Sequence, residues 1–208
     1  MSVQVPGDKS LTQRALILST LAEGESRISG LLWGGDAEST ATALRALGAT
    51  IPQIPLDGGE IVVQGVGLTG LRSPGSELDL GNSGTGARLL MGVLSGSGIE
   101  TIMTGDESLR SRPMRRVTEP LSAMGARFDF LSEAGRLPIH VRGKRPLEEI
   151  DWLTPVASAQ VKSAILLAGL TGGASTVVTE PEKSRDHTER LFHQVGVRTR
   201  SHAVGDRW

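Results

Sequence analysis

Lys9, Ser10 and Arg14 place an ammonium, a hydroxyl and a guanidinium close together in the run PGDKSLTQRALILSTLAEG, from Pro6 to Gly24. Pro6 and Gly7 make a turn, after which Asp8, Lys9 and Ser10 open an amphipathic helix. Lys9 and Ser10 therefore fall in its first turn, where unpaired backbone N–H groups and the helix dipole favour an anion. Arg14 lies four residues beyond Ser10 and returns to the same face. Taken alone, the run also fits an ordinary capped helix with solvated charges.

Repetition separates the two readings. A step of 75 residues carries Ser10 to Thr85 and then to Gln160, Lys9 to Gly84 and Ala159, and Asp8 to Ser83 and Ser158. Behind them Ala15, Leu90 and Ile165 share a register, as do Leu16, Met91 and Leu166. Ile28, Met103 and Val178 each follow a Gly/Ser turn. One supersecondary unit is used three times, and the first helix has two relatives.

The elements that must position these residues follow the same order in each copy. In the first, the helix near Ser10–Ala22 leads to a strand over Ser26–Leu31. A second helix is capped by Asp36 and stopped by Gly48, and strands follow over Ala49–Ile54 and Glu60–Gln64. In the second, Asn82-Ser83-Gly84-Thr85 opens a helix over Gly86–Leu94, and Ile99–Thr104 reads as a strand. Ser111 or Arg112 starts the next helix with Pro113 in its first turn. Gly125 ends it, and strands over Arg127–Leu131 and Leu137–Val141 follow. In the third, Ser158–Gln160 open a helix over Val161–Leu170, followed by a strand over Ser175–Thr179. Asp186 and Glu189 have capping-box spacing, and a strand over Val197–Ser201 leads to a turn at Gly205-Asp206. The first two copies continue past this turn into another strand, so the third is expected to be a fragment cut inside a hairpin.

Composition narrows the chemistry. With 208 residues and a net charge of −1, the chain can bury a good core and is not a general polyanion binder. Three Phe, three Trp and no Tyr argue against base stacking, and hence against a nucleic-acid partner. There is no cysteine for a disulfide, a zinc-thiolate site or a thiol nucleophile. No apolar run approaches a membrane span, and the N-terminus lacks a signal-peptide pattern; a cytoplasmic, cofactor-free protein is the expectation.

The remaining motifs weigh unequally. Gly65-Val66-Gly67-Leu68-Thr69-Gly70 matches a dinucleotide fingerprint but precedes Pro74 and Gly75 rather than a helix, so it reads as a loop leaving a hairpin. His140, His187, His193 and His202 lack metal-ligand spacing. Among Arg110, Arg112, Arg115 and Arg116, only Arg112 has a counterpart, Arg185, beside the next repeat's helix start; Arg115 and Arg116 read as surface. The residues thus suggest an anion site with Lys9, Arg14, Arg88, Arg112 and Arg185, suited to a small ligand carrying phosphate and carboxylate.

The blocks PGDKSLTQRA, LGNSGTGARLL, SLRSRPM, VASAQVKSAILLAGL and SRDHTERL resemble the 5-enolpyruvylshikimate-3-phosphate synthase family, in the form of its class II bacterial branch. The resemblance implies an α/β (α+β) fold of three βαβαββ repeats about a pseudo-threefold axis, one of the family's two domains. Residues 1–8 would be a crossover from the missing C-terminal domain, and residues 9–208 the N-terminal domain, with repeats at about 9–67, 80–143 and 155–208. It implies transfer of the enolpyruvyl group of phosphoenolpyruvate to the 5-hydroxyl of shikimate 3-phosphate, with glyphosate as inhibitor and no cofactor or metal. By resemblance Lys9 is catalytic and touches both substrates. Ser10, Arg14, Ser158, Ala159, Gln160 and Arg185 would hold shikimate 3-phosphate. Asn82, Gly84, Thr85, Arg88, Arg112 and Gln160 would form the phosphoenolpyruvate and glyphosate side. Ala159 replaces a serine of some members, and Leu89 a common proline. The sister transferase acting on UDP-N-acetylglucosamine typically opens with Lys-Asn and carries a loop cysteine, both lacking here. A non-catalytic anion-binding half that assembles with a partner chain is the alternative of another class.

Overall fold

A computed structural model of the chain describes residues 7–208, so residues 1–6, including Pro6 and most of the expected crossover segment, lie outside the described residues. The first unit contains α1 (Lys9–Leu21), β1 (Glu23–Ile28), α2 (Gly35–Ala46) and β2 (Ile61–Val66), with β1 and β2 antiparallel. The second contains β3 (Leu78–Asp79), α3 (Gly84–Ser97), β4 (Glu100–Thr104), α4 (Glu107–Arg110), α5 (Arg115–Ala123), β5 (Arg127–Phe130) and β6 (Ile139–Arg142), in a sheet ordered β3-β4-β6-β5. The third contains β7 (Ile150–Leu153), α6 (Ala159–Gly172), β8 (Thr176–Thr179) and α7 (His187–Gln194), with β7 and β8 parallel.

The 75-residue step survives in three dimensions. Lys9, Gly84 and Ala159 are the first residues of α1, α3 and α6. The residues before them, Asp8, Ser83 and Ser158, each accept a hydrogen bond from the backbone N–H three positions on, which is what an N-cap does. Leu16, Leu90, Met91 and Ile165 are fully buried, so the three helices form the middle of the core. α3 and α6 are buried on most sides and approach closely because glycines face their contact: a Cβ at Gly92 would collide with the Ala164 carbonyl oxygen, and one at Gly96 with the Gly172 amide. No helix among the described residues is long and apolar enough to cross a membrane.

Several expected elements differ. Ala49–Ile54 is not a strand; only Thr50 bridges to Gln64, because Pro52 and Pro55 cannot donate to a ladder. Asp36 is not a cap but sits in the first turn of α2, after Gly34. No helix starts at Ser111 or Arg112: Asp106 caps the short α4, and Pro113 disfavours helical backbone at Arg112, so the chain restarts at Arg115. Asp186 makes no side-chain cap bond, because its Oδ1 accepts from Arg190, and Glu189 pairs with Lys162 instead of returning to the cap. Val197–Ser201 lacks a ladder partner and is not a strand, although the Gly205-Asp206 turn forms, closed by Val204 and Arg207. Among the described residues β8 pairs only with β7, whereas its counterpart β4 lies between β3 and β6. A groove of about 660 Å3 follows β8, bordered by α6, α7 and residues 197–208.

Candidate active site

The N-termini of α1, α3 and α6 are tied to one another by side chains. Gln13, fully buried on α1, donates from Nε2 to Ser83 Oγ, the α3 cap, at 2.6 Å, and to Thr40 Oγ1 on α2 at 3.1 Å. Gln160 Nε2 on α6 donates to Thr85 Oγ1 on α3 at 2.9 Å. Arg14 on α1 donates from Nη2 to Ser163 Oγ on α6 at 2.8 Å and from Nε to Thr188 Oγ1 on α7 at 2.7 Å. Three pairs of partly positive helix ends are thus drawn together, each with first-turn N–H groups unengaged by the helix itself.

Arg14 is the electrostatic centre of the first rim. It is only 3% exposed, and its remaining bonds run from Nη1 to Ser10 Oγ at 2.5 Å and Ser10 O at 3.1 Å, so every acceptor it uses is neutral. Burial lowers its pKa, Arg185 adds to this, and Glu189 opposes it. The guanidinium still stays charged at neutral pH, as arginines do. Arg185 itself is exposed at the approach to α7, near enough to Arg14 to act on its charge. Lys9, the first residue of α1, is 59% exposed and pairs with Asp36 of α2 at 2.9 Å. An arriving anion must compete with that carboxylate for Lys9.

The second rim surrounds Gly84. Arg88 donates to Gly84 O at 3.0 Å and Pro113 O at 3.2 Å, while Arg112 donates to Asn82 Oδ1 at 2.6 Å. Asn82 donates in turn to Asp106, whose pKa is lowered first by that bond and then by the Leu109 amide. Burial, followed by Arg112 and Arg116, lowers the Arg88 pKa, a sign of pooled positive charge. A Cβ on Gly84 would stand 2.8 Å from Arg112 Nη1 and 3.0 Å from Arg88 Nη1, so the bare glycine is what lets two guanidiniums close on one helix end.

On the third rim, α6 is braced from below. Lys162 bonds Glu180 and Glu189 at 2.9 Å each, and Glu180, 2% exposed, also accepts from the Ser158 backbone N–H at 2.9 Å and from Ser184 Oγ at 2.7 Å. Burial penalises both charges, yet these hydrogen bonds prevail, holding Lys162 above and Glu180 below their usual ranges. Ser158, Ala159 and Gln160 are half-buried at the end this brace fixes.

Lys9, Ser10, Arg14, Asn82, Gly84, Thr85, Arg88, Arg112, Ser158, Ala159 and Gln160 therefore all belong to the three joined helix ends or the loops touching them. Arg115 and Arg116 are exposed, and Arg115 lies over the Phe130 ring. Gln13, Asp36, Ser163, Glu180, His187 and Thr188 were not foreseen. Of these Asp36, His187 and Ser163 had a signal in the sequence, the first two at helix starts and Ser163 four residues after Ala159.

A family model for EPSP synthase (3-phosphoshikimate 1-carboxyvinyltransferase) matches residues 1–208. The chain is 54% identical over 197 residues to a 3-phosphoshikimate 1-carboxyvinyltransferase of Alkalilimnicola ehrlichii, covering 93% of this chain and 43% of that protein. It is 55% identical over 195 residues to the one from Gloeobacter violaceus, covering 93% and 44%. The solved structure of EPSP synthase from Acinetobacter baumannii superposes with a TM-score of 0.89 at 43% identity, over 99% of this chain and 45% of that one. The chain spans less than half the length of these relatives. With the repeat, the fold and the joined helix ends in place, the match over the whole chain makes it a member of the EPSP synthase family.

Proposed function

We propose that the chain supplies one wall of a site that transfers the enolpyruvyl group of phosphoenolpyruvate to the 5-hydroxyl of shikimate 3-phosphate, in the cytoplasm. The observation that carries this reading is the union of three cap-to-helix junctions, one per repeat, under a shared set of cations. Helix N–H groups and arginine forks suit a phosphate and a carboxylate presented together. Ser10, Arg14, Arg185 and the Ser158-Ala159-Gln160 end hold shikimate 3-phosphate, Ala159 through its backbone. Gly84, Arg112 and Gln160, with Asn82, Thr85 and Arg88 shaping the loop, hold phosphoenolpyruvate and its competitor glyphosate.

The hydroxyl oxygen adds to the enol carbon as its proton leaves to a base and the methylene carbon takes up a proton; the tetrahedral intermediate then loses phosphate and a methyl proton, which restores the double bond as a vinyl ether. Lys9, released from Asp36, and the arginines stabilise that intermediate more than the separate substrates, and the fixed rims orient the hydroxyl. We further propose that residues 9–208 are an N-terminal domain whose third repeat is completed by a strand hairpin in the groove beside β8. The acid and base groups come from a second domain, in keeping with relatives more than twice as long. The test is calorimetry with shikimate 3-phosphate, plus a phosphate-release assay. Measurable binding with no turnover, and turnover on adding a complementary second half, is the expected result. Turnover by this chain alone, or no binding, contradicts the reading.

A further inference from the structure

Ser10 Oγ accepts from Arg14 Nη1 at 2.5 Å and stands 3.0 Å from Nδ1 of His187, the first residue of α7. A hydroxyl has one proton and two lone pairs, and the permanently charged arginine takes one pair. Nδ1 then decides the rest. With a proton on Nδ1, the ring donates into the second lone pair and the Ser10 O–H turns towards the cleft as a donor. With Nδ1 bare, the ring takes the Ser10 proton, and only a lone pair is left to face the cleft. Phosphate oxygens accept hydrogen bonds, so the first state alone serves an anion.

We propose that His187 is a positioning residue whose Nδ1 proton sets the polarity of the Ser10 hydroxyl, making it a donor to a phosphate-bearing ligand. The ligand class rests on the function proposed above, whereas the coupling of Ser10 to His187 rests on their contact. Asp8, Arg185 and Glu189 act on the charge of Arg14, which shares Ser10 with the ring, and Asp186 pairs with Arg190 on the ring's own segment. α6 contributes Lys162, which is already paired with Glu180 and Glu189. An anion at Ser10 favours a proton on Nδ1, which the neutral ring reaches by carrying its proton there rather than on Nε2.

The experiment combines 15N NMR of the His187 ring with calorimetry, on the whole chain. Shikimate 3-phosphate is titrated at about pH 6 and about pH 8, either side of the ordinary histidine range. The ligand is expected to leave the proton on Nδ1 at both pH values. Asn can donate to Ser10 at either pH, so that variant should bind well. His187→Phe should bind on the order of tenfold more weakly, the scale of one hydrogen bond. If His187→Phe does not fold, the Asn variant and the ring spectrum still decide. A bare Nδ1 in the complex, or a His187→Asn variant that binds as weakly as His187→Phe, overturns the proposal. If shikimate 3-phosphate does not bind, inorganic sulfate, a dianion at both pH values, replaces it as probe. Protonation of Nδ1 by sulfate that disappears in Ser10→Ala upholds the coupling and sinks the ligand assignment; no response of the ring sinks the coupling too.

Discussion

Gln160 Nε2 donates to Thr85 Oγ1 across 2.9 Å, and the two residues hold the same place, second in their helices, in successive repeats. Symmetry-related positions thus touch, which requires the helix ends to meet. Thr85→Val and Gln160→Met should each destabilise slightly, with a coupling of about 0.5–1.5 kcal/mol in a double-mutant cycle read by urea unfolding. Additive effects would mean the pair contributes nothing.

Arg14→Lys should cost about 2–4 kcal/mol, because an ammonium cannot reach Ser10, Ser163 and Thr188 together and stays buried. Denaturant unfolding measures the loss, and shikimate 3-phosphate binding should fall with it.

Lys162→Met leaves Glu180 and Glu189 facing each other without their cation, at a cost of about 3–5 kcal/mol in unfolding free energy near neutral pH. The pH dependence should invert. In wild type the lowered pKa of Glu180 gives stability that is present above its usual value of 4.5 and is lost as pH falls below it. The raised pKa of Lys162 gives stability that is present below 10.5 and is lost as pH rises beyond it. Without the cation, burial and like charge raise the Glu180 pKa, so mild acidification from neutral pH should stabilise the variant. Unfolding curves at several pH values separate the two behaviours.

Gly84→Ala meets the mobile ends of Arg112 and Arg88 rather than backbone, so the unfolding free energy should move by less than about 1 kcal/mol. Those guanidiniums must retreat from the helix end, however. Affinity for phosphoenolpyruvate and glyphosate should fall, glyphosate more steeply for its greater length, while shikimate 3-phosphate binding holds. Calorimetry with each ligand, in the presence of a complementary second half, distinguishes these effects.

The repeat made the central helices and their caps legible, because Asp8, Ser83 and Ser158 are local signals that recur at one spacing. The braces were not legible. Gln13 to Ser83 and Arg14 to Thr188 span 70 and 174 residues, and nothing local marks a glutamine or threonine as a buried partner. Val197–Ser201 misleads for a related reason: a strand exists only when another strand pairs with it, and propensity does not report the partner. At Arg112 two local rules compete: proline is tolerated at a helix start but restricts the residue before it, and the restriction prevails, so the helix begins at Arg115.

The central claim is that all three helix ends answer to one ligand. Backbone amide NMR of the chain during a shikimate 3-phosphate titration tests it directly. Shifts at Ser10, Thr85 and Gln160 that saturate together at one equivalent are the predicted result. Shifts confined to one helix end, or gathered along the groove beside β8, would contradict it.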